Sequence, residues 1–130
     1  MRVLLLTITI LALCCLGIVE GLTAERTILF SGRTWAVKSS SGGKVGPGPN
    51  YFSNSPESVW VDGEGFLHMK VRKINGAWNS AEIALTQSLG YGRYVLYTAS
   101  RIDLLDKNLV LGMFTYDYTA PEVSYRELDI

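Results

Sequence analysis

Beyond residue 15 the sequence has no cysteine, and the two it does have, Cys14 and Cys15, sit in an apolar leader. With that leader removed the chain carries no disulfide and relies on its core. Charge of one sign is also missing: 12 Lys and Arg balance 12 Asp and Glu. The balance excludes the basic footprint of nucleic-acid binding. At 48% hydrophobic and 18% charged the chain is a folding sequence and not a disordered one. From Leu22 onward nothing keeps a helical period. There is one histidine, His68. No His/Cys/Asp cluster has metal-ligand spacing, and no glycine-rich phosphate loop precedes a helix. A Ser/His/Asp set cannot be built on a lone histidine in an alternating strand. No cofactor is expected.

What is present begins with the leader. After Met1 and Arg2 comes VLLLTITILALCCLGIV, an apolar run of 17 residues. One positive charge followed by such a run reads as a secretory signal peptide, cleaved after Gly21 or after Ala24. A run of 17 also sits at the lower limit for a single membrane anchor. A bacterial lipoprotein would want a small residue before its acylated cysteine, and Leu13 fits that badly. The expectation is a signal over residues 1–24 and a secreted product, extracellular or periplasmic, with no stable membrane association after cleavage. About 105 residues remain, enough for one small domain.

Short runs of β-branched and aromatic residues alternate with Gly, Asn, Asp and Pro clusters, which predicts an all-β chain. Thr34–Lys38 reads as a strand, and SSSGGKVGPGPN, ending at Asn50, as a loop rich in glycine and proline. Ser58–Asp62 and Phe66–Lys73 read as strands joined across DGEG. Asn75-Gly76 predicts a type I′ hairpin, since both residues tolerate positive φ. AWNSAEIALTQ, GYGRYVLYTASR and LVLGMFTY follow as strands, the last expected to be buried on both faces. About seven strands without intervening helices predict an antiparallel sandwich or barrel.

The sequence closes on SYRELDI. In a strand, residues i and i+2 share a face, so Glu127 and Asp129 stand together with Cα atoms roughly 6.5–7 Å apart. Leu128 and Ile130 then press into a core on the other side. Two carboxylates held that close repel, which raises at least one pKa. A solvated strand face more often pairs an acid with a base. This last strand reaches Ile130 at full hydrophobicity with no turn or polar tail after it, so the sequence is expected to be a fragment.

Three motifs, GYGRY at 90–94, NLVLGMFTYD at 108–117 and RELDI at 126–130, resemble glycoside hydrolase family 16, the laminarinases, lichenases and related β-glucanases. FSGRTWAVKSS, GPGPNYFS and VWVDGEGFLHMKV are similar to a bacterial branch of it. The likeness runs from Phe30 to Ile130. It implies a concanavalin A-like jelly-roll β-sandwich, incomplete in these residues, and a retaining hydrolase of β-linked polysaccharide. The family's active strand reads Glu-x-Asp-x-Glu, sometimes with one extra residue before the last Glu. By that resemblance Glu127 is the nucleophile and Asp129 its helper, while the acid/base Glu falls at the first or second position after Ile130.

Sugar clefts are lined by aromatics, because ring faces pack on the apolar faces of pyranoses. Trp35, Tyr51, Phe52, Trp60, Trp78 and Tyr116 are the candidates, with core packing the competing account of each. Asn50 and Tyr51 are expected at the cleft rim, with Trp78 and Tyr116 as further substrate contacts. Glu82 reads as a solvated strand carboxylate, with a place on a cleft face next to Trp78 as the alternative; His68 reads as structural, and Arg126 as half of an ion pair. Some family members hold calcium on the convex face, but no ligand set for it is legible. The partner is a polysaccharide or oligosaccharide. A non-catalytic glycan-binding sandwich and a structural adhesion protein are the alternatives, and the acid pair favours the enzyme.

Overall fold

The computed structural model describes residues 25–122 and 126–129. The expected signal segment and Ile130 therefore lie outside the described residues. The chain divides between Ser88 and Leu89 into two compact units. Apart from one 3-10 turn at Ile102–Leu104, all regular structure is strand. The all-β expectation holds, in the form of several small sheets.

In the first unit β1 (Thr27–Phe30), β2 (Arg33–Val37) and β8 (Ile83–Leu85) form an antiparallel sheet in the order β1-β2-β8. Its first hairpin turns on Ser31-Gly32, at φ of 51° and 70°. Both central residues are left-handed, as the twist of a two-residue hairpin requires. β3 (Tyr51–Phe52), β7 (Ala77–Ser80) and β6 (Arg72–Ile74) form a second sheet. There the Asn75-Gly76 turn joins β6 to β7 at φ of 48° and 84°. β4 (Val59–Val61) and β5 (Leu67–Met69) form a separate hairpin across DGEG.

Two expected strands each divide in two. Phe66–Lys73 supplies β5 to the hairpin and then β6 to the second sheet. AWNSAEIALTQ supplies β7 to the second sheet and β8 to the first. Each run keeps its alternation but changes partner midway, because the backbone groups of a strand can be satisfied by any adjacent ladder. The break after Met69 is bridged by the Lys70 amide, which donates to the Ser58 carbonyl at 2.8 Å.

The fully buried apolar residues, Val37, Phe52 and Val59, come one from each of these three sheets. Polar side chains tie the same sheets together. Arg26 donates from Nη1 to the Asn54 carbonyl at 3.0 Å and from Nη2 to the Val59 carbonyl at 2.9 Å. Buried Ser58 donates its hydroxyl to Ser53 at 2.9 Å. Lys38 Nζ binds both oxygens of Glu82 at 2.8 and 2.9 Å and the Gly46 carbonyl at 2.7 Å. It also lies 4.4 Å from the centre of the Phe52 ring.

The β4–β5 hairpin has its own lock. Asp62 Oδ1 accepts from the Glu64 and Phe66 amides at 3.0 and 2.9 Å, while Oδ2 meets His68 Nε2 at 2.7 Å. His68 stacks on its cross-strand neighbour Trp60, rings 4.5 Å apart and 2° from parallel. The lone histidine is thus structural, as expected. The His68 hydrogen bond, followed by the Phe66 amide, holds the Asp62 carboxyl below the usual aspartate range.

The second unit departs from expectation. Among its described residues only β9 (Phe114–Tyr116) and β10 (Glu127–Asp129) pair. GYGRYVLYTASR forms no strand, and neither does LVLGM. The latter is not buried on both faces: Val110 is 93% exposed and Leu111 half exposed. Alternation makes these stretches competent for a sheet, but no neighbouring ladder among the described residues closes their hydrogen bonds. Leu128, expected in a core, is 73% exposed.

Two outcomes follow. Val59→Ala should cost about 2 kcal/mol of unfolding free energy, while Val110→Ala should stay within about 0.5 kcal/mol, both read from urea titrations. Asp62, with its folded pKa depressed, contributes stability above the ordinary aspartate pKa and loses it as pH falls through the folded value. Asp62→Asn should therefore flatten the acid limb of the stability–pH curve relative to the wild type.

Candidate functional site

The β9–β10 ribbon gathers three of the sequence-nominated residues. Its antiparallel register sets Glu127 opposite Tyr116, Leu128 opposite Thr115 and Asp129 opposite Phe114. Directly opposed residues of an antiparallel pair share a face, with Cβ atoms about 4.5–5.5 Å apart. One face therefore presents Phe114, Tyr116, Glu127 and Asp129, and the other presents Thr115 and Leu128. All three β10 residues are exposed. Acids stand on one strand and aromatic rings on the next.

The connection between the strands is pinned from both sides. The Asp117 amide donates to the Arg126 carbonyl at 2.7 Å and carries the ladder one step past β9. Asp117 Oδ1 accepts from the Thr119 hydroxyl at 2.6 Å and the Thr119 amide at 2.8 Å. These bonds, the hydroxyl first, hold the Asp117 carboxyl below its usual range, and the positive charge of Arg126 adds to the effect. Arg126 Nε donates to the Ala120 carbonyl at 2.8 Å. Arg126 was expected as half of an ion pair; its side-chain bond here is instead to a backbone carbonyl. At the turn the Tyr118 ring folds against Tyr116, with centroids 4.7 Å apart at 55°.

The remaining nominated residues belong to the first unit. Asn50 closes the Gly/Pro loop: its amide and carbonyl each bond Val45 at 2.9 Å, and its Nδ2 donates to the Pro47 carbonyl at 2.9 Å. Tyr51 lies on β3 with Lys44 Nζ 5.6 Å from its ring centre. Trp78 is 66% exposed on β7, across from Lys73. Tyr51 pairs with Asn79, so Tyr51 and Trp78 fall on opposite faces of that sheet. Among the other aromatics, Trp35 donates its indole N–H to the Phe30 carbonyl at 3.1 Å, Phe52 is buried and Trp60 stacks on His68. Glu82 is held by Lys38. Of these four only Phe52 is buried.

Phe114 and Tyr118 were not singled out from the sequence. The signal was there in the F-T-Y-D-Y run, where an aromatic recurs at every second position, but LVLGMFTY as a whole read as interior. Among the described residues no three His, Cys, Asp or Glu side chains converge on a metal position, and no helix is long and apolar enough to cross a membrane. Comparison of the chain with family models, curated proteins and solved structures gives no match.

Arg126→Ala should remove the Ala120 anchor at a net cost of about 1 kcal/mol. Amide hydrogen exchange would show this as faster exchange at Asp117, with the Val59 amide in the first unit unchanged.

Proposed function

We propose that the chain is a secreted glycosidase of the retaining type, related to glycoside hydrolase family 16 and acting on β-linked polysaccharide of the β-glucan kind. The observation that carries this reading is the register of the ribbon, with Glu127 opposite Tyr116 and Asp129 opposite Phe114 on one exposed face. The motif resemblance over Phe30–Ile130 and the all-β character support it. In this reading the strands belong to a jelly-roll sandwich, and residues 1–24 direct export and are removed.

The chemistry accounts for the residue types. A retaining enzyme attacks the anomeric carbon with one carboxylate and forms a covalent glycosyl intermediate. By the family resemblance Glu127, the first acid of the strand, takes that role. A second carboxyl, about 5–5.5 Å from the first, protonates the leaving oxygen and then activates water. In the family pattern that acid is the last Glu of Glu-x-Asp-x-Glu. Asp129, on the face of Glu127, hydrogen-bonds the nucleophile and keeps the two outer acids in different protonation states. Tyr116 and Phe114 offer ring faces to the sugar while the carboxylates take its hydroxyls. The scheme runs on side chains alone.

The aromatic row of the same face also suits a non-catalytic glycan binder, and one substitution separates the two readings. In the product of the full reading frame, Glu127→Gln should lower kcat on β-glucan by on the order of 10³-fold or more while leaving the dissociation constant for glycan within about twofold. Unchanged turnover removes Glu127 from the nucleophile role. A wild-type protein that binds glycan without turnover leaves the binder.

A further inference from the structure

Tyr118 is 81% exposed, yet the residues on either side of it are joined by hydrogen bonds. Asp117 and Thr119 bracket it with two hydrogen bonds, and Arg126 secures Ala120 two residues later. Its ring rests on Tyr116 at 4.7 Å. An aromatic needed only to cover its neighbour would be expected to lose more of its own surface. This one offers most of its ring to solvent from a fixed mount, and such preorganisation lowers the ordering cost of a bound partner.

The direction of the strand supplies the rest. Along β9 the ribbon runs from Phe114, opposite Asp129, to Tyr116, opposite Glu127, and Tyr118 follows at the far end. A glycan unit packed on Tyr116 stands beside Glu127, so the next unit along β9 meets Tyr118. We propose that Tyr118 is a second glycan-contacting residue that sets the length of chain the site prefers. This rests on the glycan reading of the preceding subsection, catalytic or not.

The test measures binding of β-linked gluco-oligosaccharides, a trisaccharide and a hexasaccharide, to the wild type, Tyr118→Ala and Tyr118→Phe. A stacking contact confined to the longer ligand predicts that Tyr118→Ala weakens the hexasaccharide about two- to tenfold. The trisaccharide should stay within about twofold, and Tyr118→Phe should restore the hexasaccharide. Equal losses on both ligands would reduce Tyr118 to a support for the fold, and no loss on either would remove it from the site. Either result overturns the proposal while leaving the glycan reading intact. A wild type that binds neither oligosaccharide overturns both together.

Discussion

An extended backbone keeps its N–H and C=O groups satisfied only when another strand lies alongside. The organisation of this chain follows from which stretches find such a neighbour. In the first unit nearly every strand-forming run does, sometimes by serving two sheets in succession. In the second, one short ribbon does, and the whole candidate site hangs on its register. A slip of one residue would turn Glu127 and Asp129 to the other face and bring Leu128 to the side of Tyr116 and Phe114. The bonds at Asp117, Thr119, Ala120 and Arg126 oppose that slip, since they fix where the return strand begins. Residues outside the candidate face thus decide what that face contains.

The parts of this structure that could be read from the sequence are those encoded over a few residues. Asn75-Gly76 specifies its turn through the backbone freedom of two residues, and DGEG closes through the Asp62 carboxylate. Glu127 and Asp129 announce a shared face by spacing alone. The partner changes after Met69 and after Ser80 could not be read in the same way. Alternation continues through them, and the choice of ladder is made by residues distant in sequence. Ser31-Gly32 went unnoticed because serine rarely adopts the left-handed conformation it has here. The pairing of Tyr116 with Glu127 also depends on a long-range register. For GYGRYVLYTASR the local pattern was favourable and the neighbour was missing, so propensity alone gave the wrong state.

The interior of the first unit is small and polar for a sheet protein. Among its described residues three apolar side chains are buried, joined by buried Ser53 and Ser58. Hydrogen bonds from Arg26, Ser58 and Lys38 run between elements where a larger core would use aliphatic contacts. Each gives about 0.5–1.5 kcal/mol net, but leaving one partner unmet inside costs about 1–3 kcal/mol. Such bonds add less to stability than to uniqueness, because each is satisfied in one arrangement of the sheets. Asn50 shows the same economy in the Gly/Pro loop, where one side chain and one bridge fix the shape of a segment with few other constraints.

The aromatic residues are divided between the units in a way that separates their optical signals. Trp35, Trp60 and Trp78 all precede Ser88, whereas every tyrosine except Tyr51 follows it. Indole emission therefore reports on the first unit alone, with Trp78 in water and Trp60 against an imidazole. Phenol absorbance reports chiefly on the second. Loss of order around the ribbon is therefore best followed through phenol absorbance, since the indoles all belong to the other unit.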